Sequence, residues 1–177
     1  IESDNLQANI NLTIDENIQL EDVAETSLDE NYHQKYQELI SLDDISEGGY
    51  DGSWFSVAIL DTGIDLDHSH FGSDSDGNGI SDRIKVALDF TGGKPSGDDG
   101  NGHGTHVSGI IGGSDAELPG IAPGVNLISL KVLSDSGSGS FSSINKALDW
   151  CIENAEKYNL VAINMSLGDG SFAEEDI

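Results

Sequence analysis

A chain of 177 residues, 36% of them apolar, is long enough to bury one hydrophobic core. Its 7 basic and 33 acidic side chains leave a formal net charge of −26, which argues against nucleic acids and anionic membrane surfaces as partners. A single cysteine, Cys151, excludes an internal disulfide framework, and no apolar run is long enough to span a membrane.

The acid load is uneven, with 13 acids and one base in residues 1–50 against 20 and six in residues 51–177. Residues 1–46 alternate short apolar clusters with acids and hold no catalytic constellation, so they read as an N-terminal extension. The chain opens on Ile1 without a signal peptide, which is expected of a processed or partial sequence. A glycine-rich entry turn, Glu47–Gly52, leads into a strand over Trp54–Leu60 that is apolar enough to be buried on both faces. Asp61 follows at its mouth in "VAILDTGID", although aspartate is a poor strand residue. Residues 66–100 form a polar insertion rich in glycine and aspartate, within which Arg83–Phe90 reads as a further strand.

A helix is expected from about Gly102 through "HGTHVSGIIGG", then a strand over Asn126–Leu133 and a flexible loop over Ser134–Ser140. Ile144, Ala147, Leu148, Cys151, Ile152 and Ala155 fall on one helical stripe and predict a core-facing helix, with Cys151 a small buried hydrophobe. Leu160–Gly168 reads as the last strand. Strands alternating with helices predict an α/β fold, a three-layer arrangement of parallel sheet with flanking helices. Ligands bind such sheets beyond the carboxyl ends of the strands, where Asp61 and the residues after Met165 lie.

"DDGNGHGTHVSG" puts His103 at the start of a helix, just after a glycine that permits close backbone approach. A carboxylate at a strand mouth that holds an imidazole in one tautomer is the orienting half of a nucleophilic triad. That chemistry accounts for Asp61. His106, three residues after His103, suggests a metal pair, but no His-Glu-x-x-His motif is present, so His106 is expected to pack within the helix. His33, His68 and His70 read as surface or satisfied histidines.

The insertion holds "DSDGNGISD", with Asp74, Asp76, Asn78, Gly79 and Asp82 at positions 1, 3, 5, 6 and 9 of an EF-hand-type loop. The Ile80 carbonyl would occupy position 7, so the predicted calcium ligands are Asp74, Asp76, Asn78, Ile80 and Asp82. Position 12 is Lys85 rather than an acid, and Asp89 is the expected substitute.

In that order, "VAILDTGID", "NGHGTHVSG" and "INMSLG" resemble the subtilisin-like serine peptidases, the subtilases, over roughly Gly48 to Gly168. The resemblance implies a subtilisin-like fold, incomplete at its C-terminus, with Asp61 as orienting acid and His103 as general base. It also implies that Leu133, Gly137, Ser138, Gly139, Ser166, Leu167 and Gly168 line the groove for a peptide substrate, which adds as a strand between two walls. It makes residues 1–46 the end of a pro-region, residues 47–177 the N-terminal part of a catalytic domain, and an extracellular location the expected one. His70 stands where the family has a calcium-ligating acid, and the loop "GGSDAELPG" is short, so that family site is not expected here.

The family's Gly-Thr-Ser-Met-Ala motif is absent from the 177 residues. The triad serine is therefore expected beyond residue 177, and this segment alone is expected to be inactive. The alternative is a non-catalytic, calcium-stabilised peptide-binding module.

Overall fold

In the computed structural model, which describes residue 40, residues 42–93 and residues 97–168, four parallel strands lie in the order β2-β3-β1-β4. They are β1 (Ser56–Asp61), β2 (Ile84–Asp89), β3 (Asn126–Lys131) and β4 (Leu160–Asn164). Among the described residues three α-helices accompany them: α1 (Leu42–Glu47), α2 (His103–Gly112) and α3 (Phe141–Tyr158). Most of the extension assigned to residues 1–46 lies outside the described residues, as do residues 94–96 of the insertion.

The period of two along the strands sorts their side chains into two cores. Ala58 and Leu60 of β1 join Ile128 and Leu130 of β3 against Ala147 and Cys151 of α3. Ile59 and Leu127 face the other way, onto a second core that includes Ile84 and Phe71 and is flanked by Val107 and Ile111 of α2. β1 and β3 are buried almost throughout, so the apolar run read as a doubly covered strand is one. Parallel pairing of Ala58 with Ile128 and Asp61 with Lys131 sets the register at the centre of the sheet.

Several expected boundaries move. Trp54 is left-handed (φ 75°) and Phe55 N–H donates to the Gly52 carbonyl, so the chain is still turning there and β1 begins at Ser56. The last strand stops at Asn164 rather than Gly168 and pairs only with β1 among the described residues. Ile152 is 76% exposed, because it sits on the flank of the α3 stripe whose centre is Ala147 and Cys151. Cys151 is buried as expected, and that burial pushes its thiol up to about 11.

The strand order places the functional end. From β1 the chain turns to β2 and α2, whereas from β3 it crosses by α3 to the other side of β1. Connections therefore diverge at the carboxyl ends of β1 and β3, the position at which open α/β sheets form a crevice.

Candidate active site

Asp61 is the last residue of β1, and its side chain is fully buried. Its Oδ1 accepts the Thr62 N–H at 2.7 Å and lies 2.7 Å from His103 Nδ1. A carboxylate in its ionised form only accepts, so this contact favours the tautomer with the proton on Nδ1, in which Nε2 is an acceptor. The His103 side chain is 48% exposed, which leaves Nε2 open to a substrate or nucleophile. The second Asp61 oxygen, Oδ2, is buried without a hydrogen-bond partner among the described residues.

Glycines permit this approach. Gly102 precedes α2 with φ 96°, and Gly104 packs so closely that an added methyl group would overlap the Gly63 carbonyl oxygen. The first turn of α2 thus lies directly on the turn after β1. The sequence placed both catalytic candidates, and the fold brings them together across 42 residues.

Two side chains of this corner were missed. Asp99 accepts the Thr62 hydroxyl at 2.9 Å, the N–H groups of Asn101 and Gly102, and both the N–H and hydroxyl of Thr105. Burial opposes its charge, but these donors, the Thr105 hydroxyl foremost, outweigh burial and hold its carboxyl down at about 2. Its only sequence signal was an aspartate four residues before His103 in a stretch that reads as loop. Lys131 is also buried, with Nζ donating to the Thr62 carbonyl and, at 2.7 Å, to Asp135 Oδ1. A lysine at the end of a strand gives no sequence signal of burial.

His103 opens onto a cleft of about 780 Å3. Leu133, Gly137, Ser138 and Gly139 line it, together with Ser166, Leu167 and Gly168, so every predicted substrate-groove residue is gathered there. Thr62, Asn101, Ser140, Phe141 and Ile144 complete the lining and were not foreseen. An antiparallel bridge between Leu133 and Gly139 closes the loop after β3 into a narrow wall, and Asn101 Nδ2 donates to the Asp135 carbonyl at 2.9 Å.

His106 is exposed rather than packed, because it points from α2 into a second cavity of about 620 Å3 that also touches His68 and His70. In the insertion, carboxylate oxygens of Asp74, Asp76 and Asp82 lie within 4.8 Å of one another, a group able to hold a metal ion. Asp74 takes the Gly79 N–H at 2.8 Å and Asp82 takes donors from Ser75 and Ser73, which hold both carboxyls below their ordinary range. The Asn78 side-chain oxygen accepts the Ile80 N–H at 2.8 Å. Asp89 does not join them: seven residues away at the far end of β2, its Oδ1 bonds to Thr91 instead. Lys85 donates to the Asp82 carbonyl at 2.6 Å.

Comparison with known proteins agrees with this geometry. The Subtilase family profile matches residues 52–176. Subtilisin DY of Bacillus licheniformis is 37% identical over 135 residues, which cover 75% of this chain and 44% of that protein. Subtilisin Savinase of Lederbergia lenta is 41% identical over 125 residues, covering 70% of this chain and 40% of its own length. The crystal structure of a cold adapted subtilisin-like serine proteinase superposes with a TM-score of 0.55 at 36% identity, over 70% of this chain and 40% of that one. The chain thus spans less than half the length of these relatives.

Proposed function

This chain belongs to the subtilase family, and from that premise we propose that it carries the acid and the base of a subtilisin-type serine endopeptidase. The observation that carries the proposal is the 2.7 Å contact between His103 Nδ1 and the buried Asp61 Oδ1 at the mouth of the 780 Å3 cleft. The nucleophile is a serine C-terminal to residue 177. His103 Nε2 takes the proton of that serine as it attacks the scissile carbonyl, then passes it to the leaving amine. Asp61 keeps the Nδ1–H tautomer and stabilises the imidazolium that forms, and an acyl-enzyme is released by water.

The substrate is a peptide or protein laid in extended form between the Leu133–Gly139 wall and Ser166–Gly168. The pro-region read over residues 1–46 is a second proposed partner. An extracellular setting suits the acidity of the chain and the family. No helix among the described residues is long and apolar enough to cross a membrane.

Calcium fits the insertion loop by the chemistry of its donors. Asp74, Asp76 and Asp82 with the Asn78 amide oxygen and the Ile80 carbonyl would hold it, and Gly79 at φ 83° supplies the turn. When bound there, calcium would neutralise the charge that these carboxylates share. The test of the catalytic reading is His103→Ala in the full-length protein, which should reduce peptide hydrolysis to background in a chromogenic peptide assay. Retained hydrolysis would sink the reading.

A further inference from the structure

We propose that Asp99 is a positioning residue for the catalytic pair, its carboxylate locking the turn that carries Asp61 to the helix turn that carries His103. The inference rests on the peptidase reading above and deepens it. Asp99 Oδ1 accepts the Thr62 hydroxyl at 2.9 Å, the Asn101 N–H at 3.0 Å and the Gly102 N–H at 2.9 Å. Oδ2 accepts the Thr105 N–H at 2.9 Å and the Thr105 hydroxyl at 2.6 Å.

Thr62 completes the connection on the other side. Its hydroxyl accepts the Gly104 N–H at 2.9 Å, and its own N–H donates to Asp61 Oδ1 at 2.7 Å. Thr105 likewise accepts the Asp65 N–H at 2.9 Å. The result is a closed ring from Asp99 through Thr62 and Asp61 to His103 and back through Gly102. Each link fixes one side of the Asp61–His103 contact, whose geometry proton transfer needs to within about half an ångström.

A helix cap would explain less. Capping requires only the N–H groups at the start of α2, whereas the Thr62 hydroxyl belongs to the turn after β1. Five donors on two oxygens also require a carboxylate. Asparagine would aim an NH2 group either at Thr105 or at Asn101 and Gly102, whose N–H groups cannot accept it. The carboxyl held at about 2 is in keeping with an anion at neutral pH.

The experiment uses the full-length protein with Asp99→Asn, Thr62→Val and Thr62→Ser. Each is scored by kcat and KM on a peptide substrate and by the proton NMR resonance of His103 Nδ1–H. Asp99→Asn should lower kcat about a hundredfold, as a misplacement of about 1 Å does, with KM within about twofold. Thr62→Val should lower kcat by about tenfold and move the Nδ1–H resonance, while Thr62→Ser restores both.

Wild-type kcat and an unmoved resonance in Asp99→Asn and Thr62→Val would overturn the proposal, as would a lowered Tm alone. Should Asp99→Asn not fold, the Thr62 pair decides by itself. If His103→Ala keeps activity, the peptidase reading falls, but the Nδ1–H resonance still scores Asp99. If His103→Ala is dead and both ring variants are normal, only the Asp99 proposal falls.

Discussion

Two acidic regions of this molecule were read from motifs, and they are held together in opposite ways. Around Asp61 the bonds that tie the turn after β1 to the loop and helix that carry His103 join residues far apart in the chain: Asp99 to Thr62 over 37 positions, Thr105 to Asp65 over 40 and His103 to Asp61 over 42. In the loop around Asp74 and Asp82 the partners are two to nine residues apart, and the three carboxylates face solvent. The first region is built by the fold and keeps its shape as long as β1 and α2 stay packed. The second builds itself, and its three neighbouring carboxylates repel unless something balances them. On the proposed reading, the geometry of the acid–base pair belongs to the sheet, and cation binding would belong to the loop.

The sharpest way to break that comparison is to remove charge from each side in turn. Asp61→Asn preserves shape but reverses the donor pattern that selects the His103 tautomer. It should lower kcat by about 10^4-fold, the scale established for losing the orienting acid in serine peptidases. Asp76→Asn with Asp82→Asn should leave kcat at saturating substrate within about twofold, because neither residue touches the cleft. What those two should abolish is calcium stabilisation. Added calcium should raise the Tm of the wild type by several degrees and that of the double variant not at all, read by thermal melts with and without chelator. Equal melts of the wild type with and without calcium would remove the ion from the account.

Glycines give a second contrast, smaller in effect. At Gly104 an added methyl group meets the Gly63 carbonyl oxygen and lies 3.2 Å from Asp61 Cβ, so α2 must move away from β1. Gly104→Ala should cost about 1–3 kcal/mol in urea unfolding, and kcat should fall with it. At Gly79 the same methyl group meets nothing within 4 Å, and only the φ of 83° resists it. Gly79→Ala should cost about 1–2 kcal/mol and leave kcat intact. A variant pair that behaved alike in kcat would show that the two regions are mechanically coupled.

The same contrast explains what the sequence disclosed. Asp61 and His103 were legible because glycine-rich motifs and a strand end mark them locally, whereas the groove residues were read only from the resemblance to the subtilases. The parallel sheet and the α3 stripe were legible too, since a continuous apolar run in "SVAILD" marks a strand covered on both faces and period 3.6 survives in Ile144 to Cys151. Asp99 and Lys131 were not legible. Their significance lies in partners brought by folding, Thr62 above all, and a strand-end lysine or a loop aspartate carries no periodic signature. The strand start at Trp54 failed for a related reason: apolarity does not report a left-handed φ. Asp89 was offered to the calcium loop by composition, although it lies at the far end of the six-residue strand that follows the loop.

The finest division between the regions lies in acid. Asp99 is lowered from 3.8 to about 2, so its folded-state value lies below its unfolded one. Its contribution is therefore complete above about pH 4 and is lost as pH falls through about 2. Unscreened, that shift corresponds to about 2 kcal/mol, and partial solvent contact reduces it to about 1 kcal/mol. Asp74 and Asp82 are displaced in the same direction, by the Gly79 N–H and the Ser75 hydroxyl respectively, but they lie in open solvent, where salt screens them. Urea unfolding from pH 5 to pH 2 should therefore show Asp99→Asn with a flatter acid limb than the wild type at low and at high salt. Asp82→Asn should differ from the wild type at low salt only. Parallel acid limbs for Asp99→Asn and the wild type would mean that the Thr62 and Thr105 bonds do not depend on the charge of Asp99, and the ring would then be a neutral one.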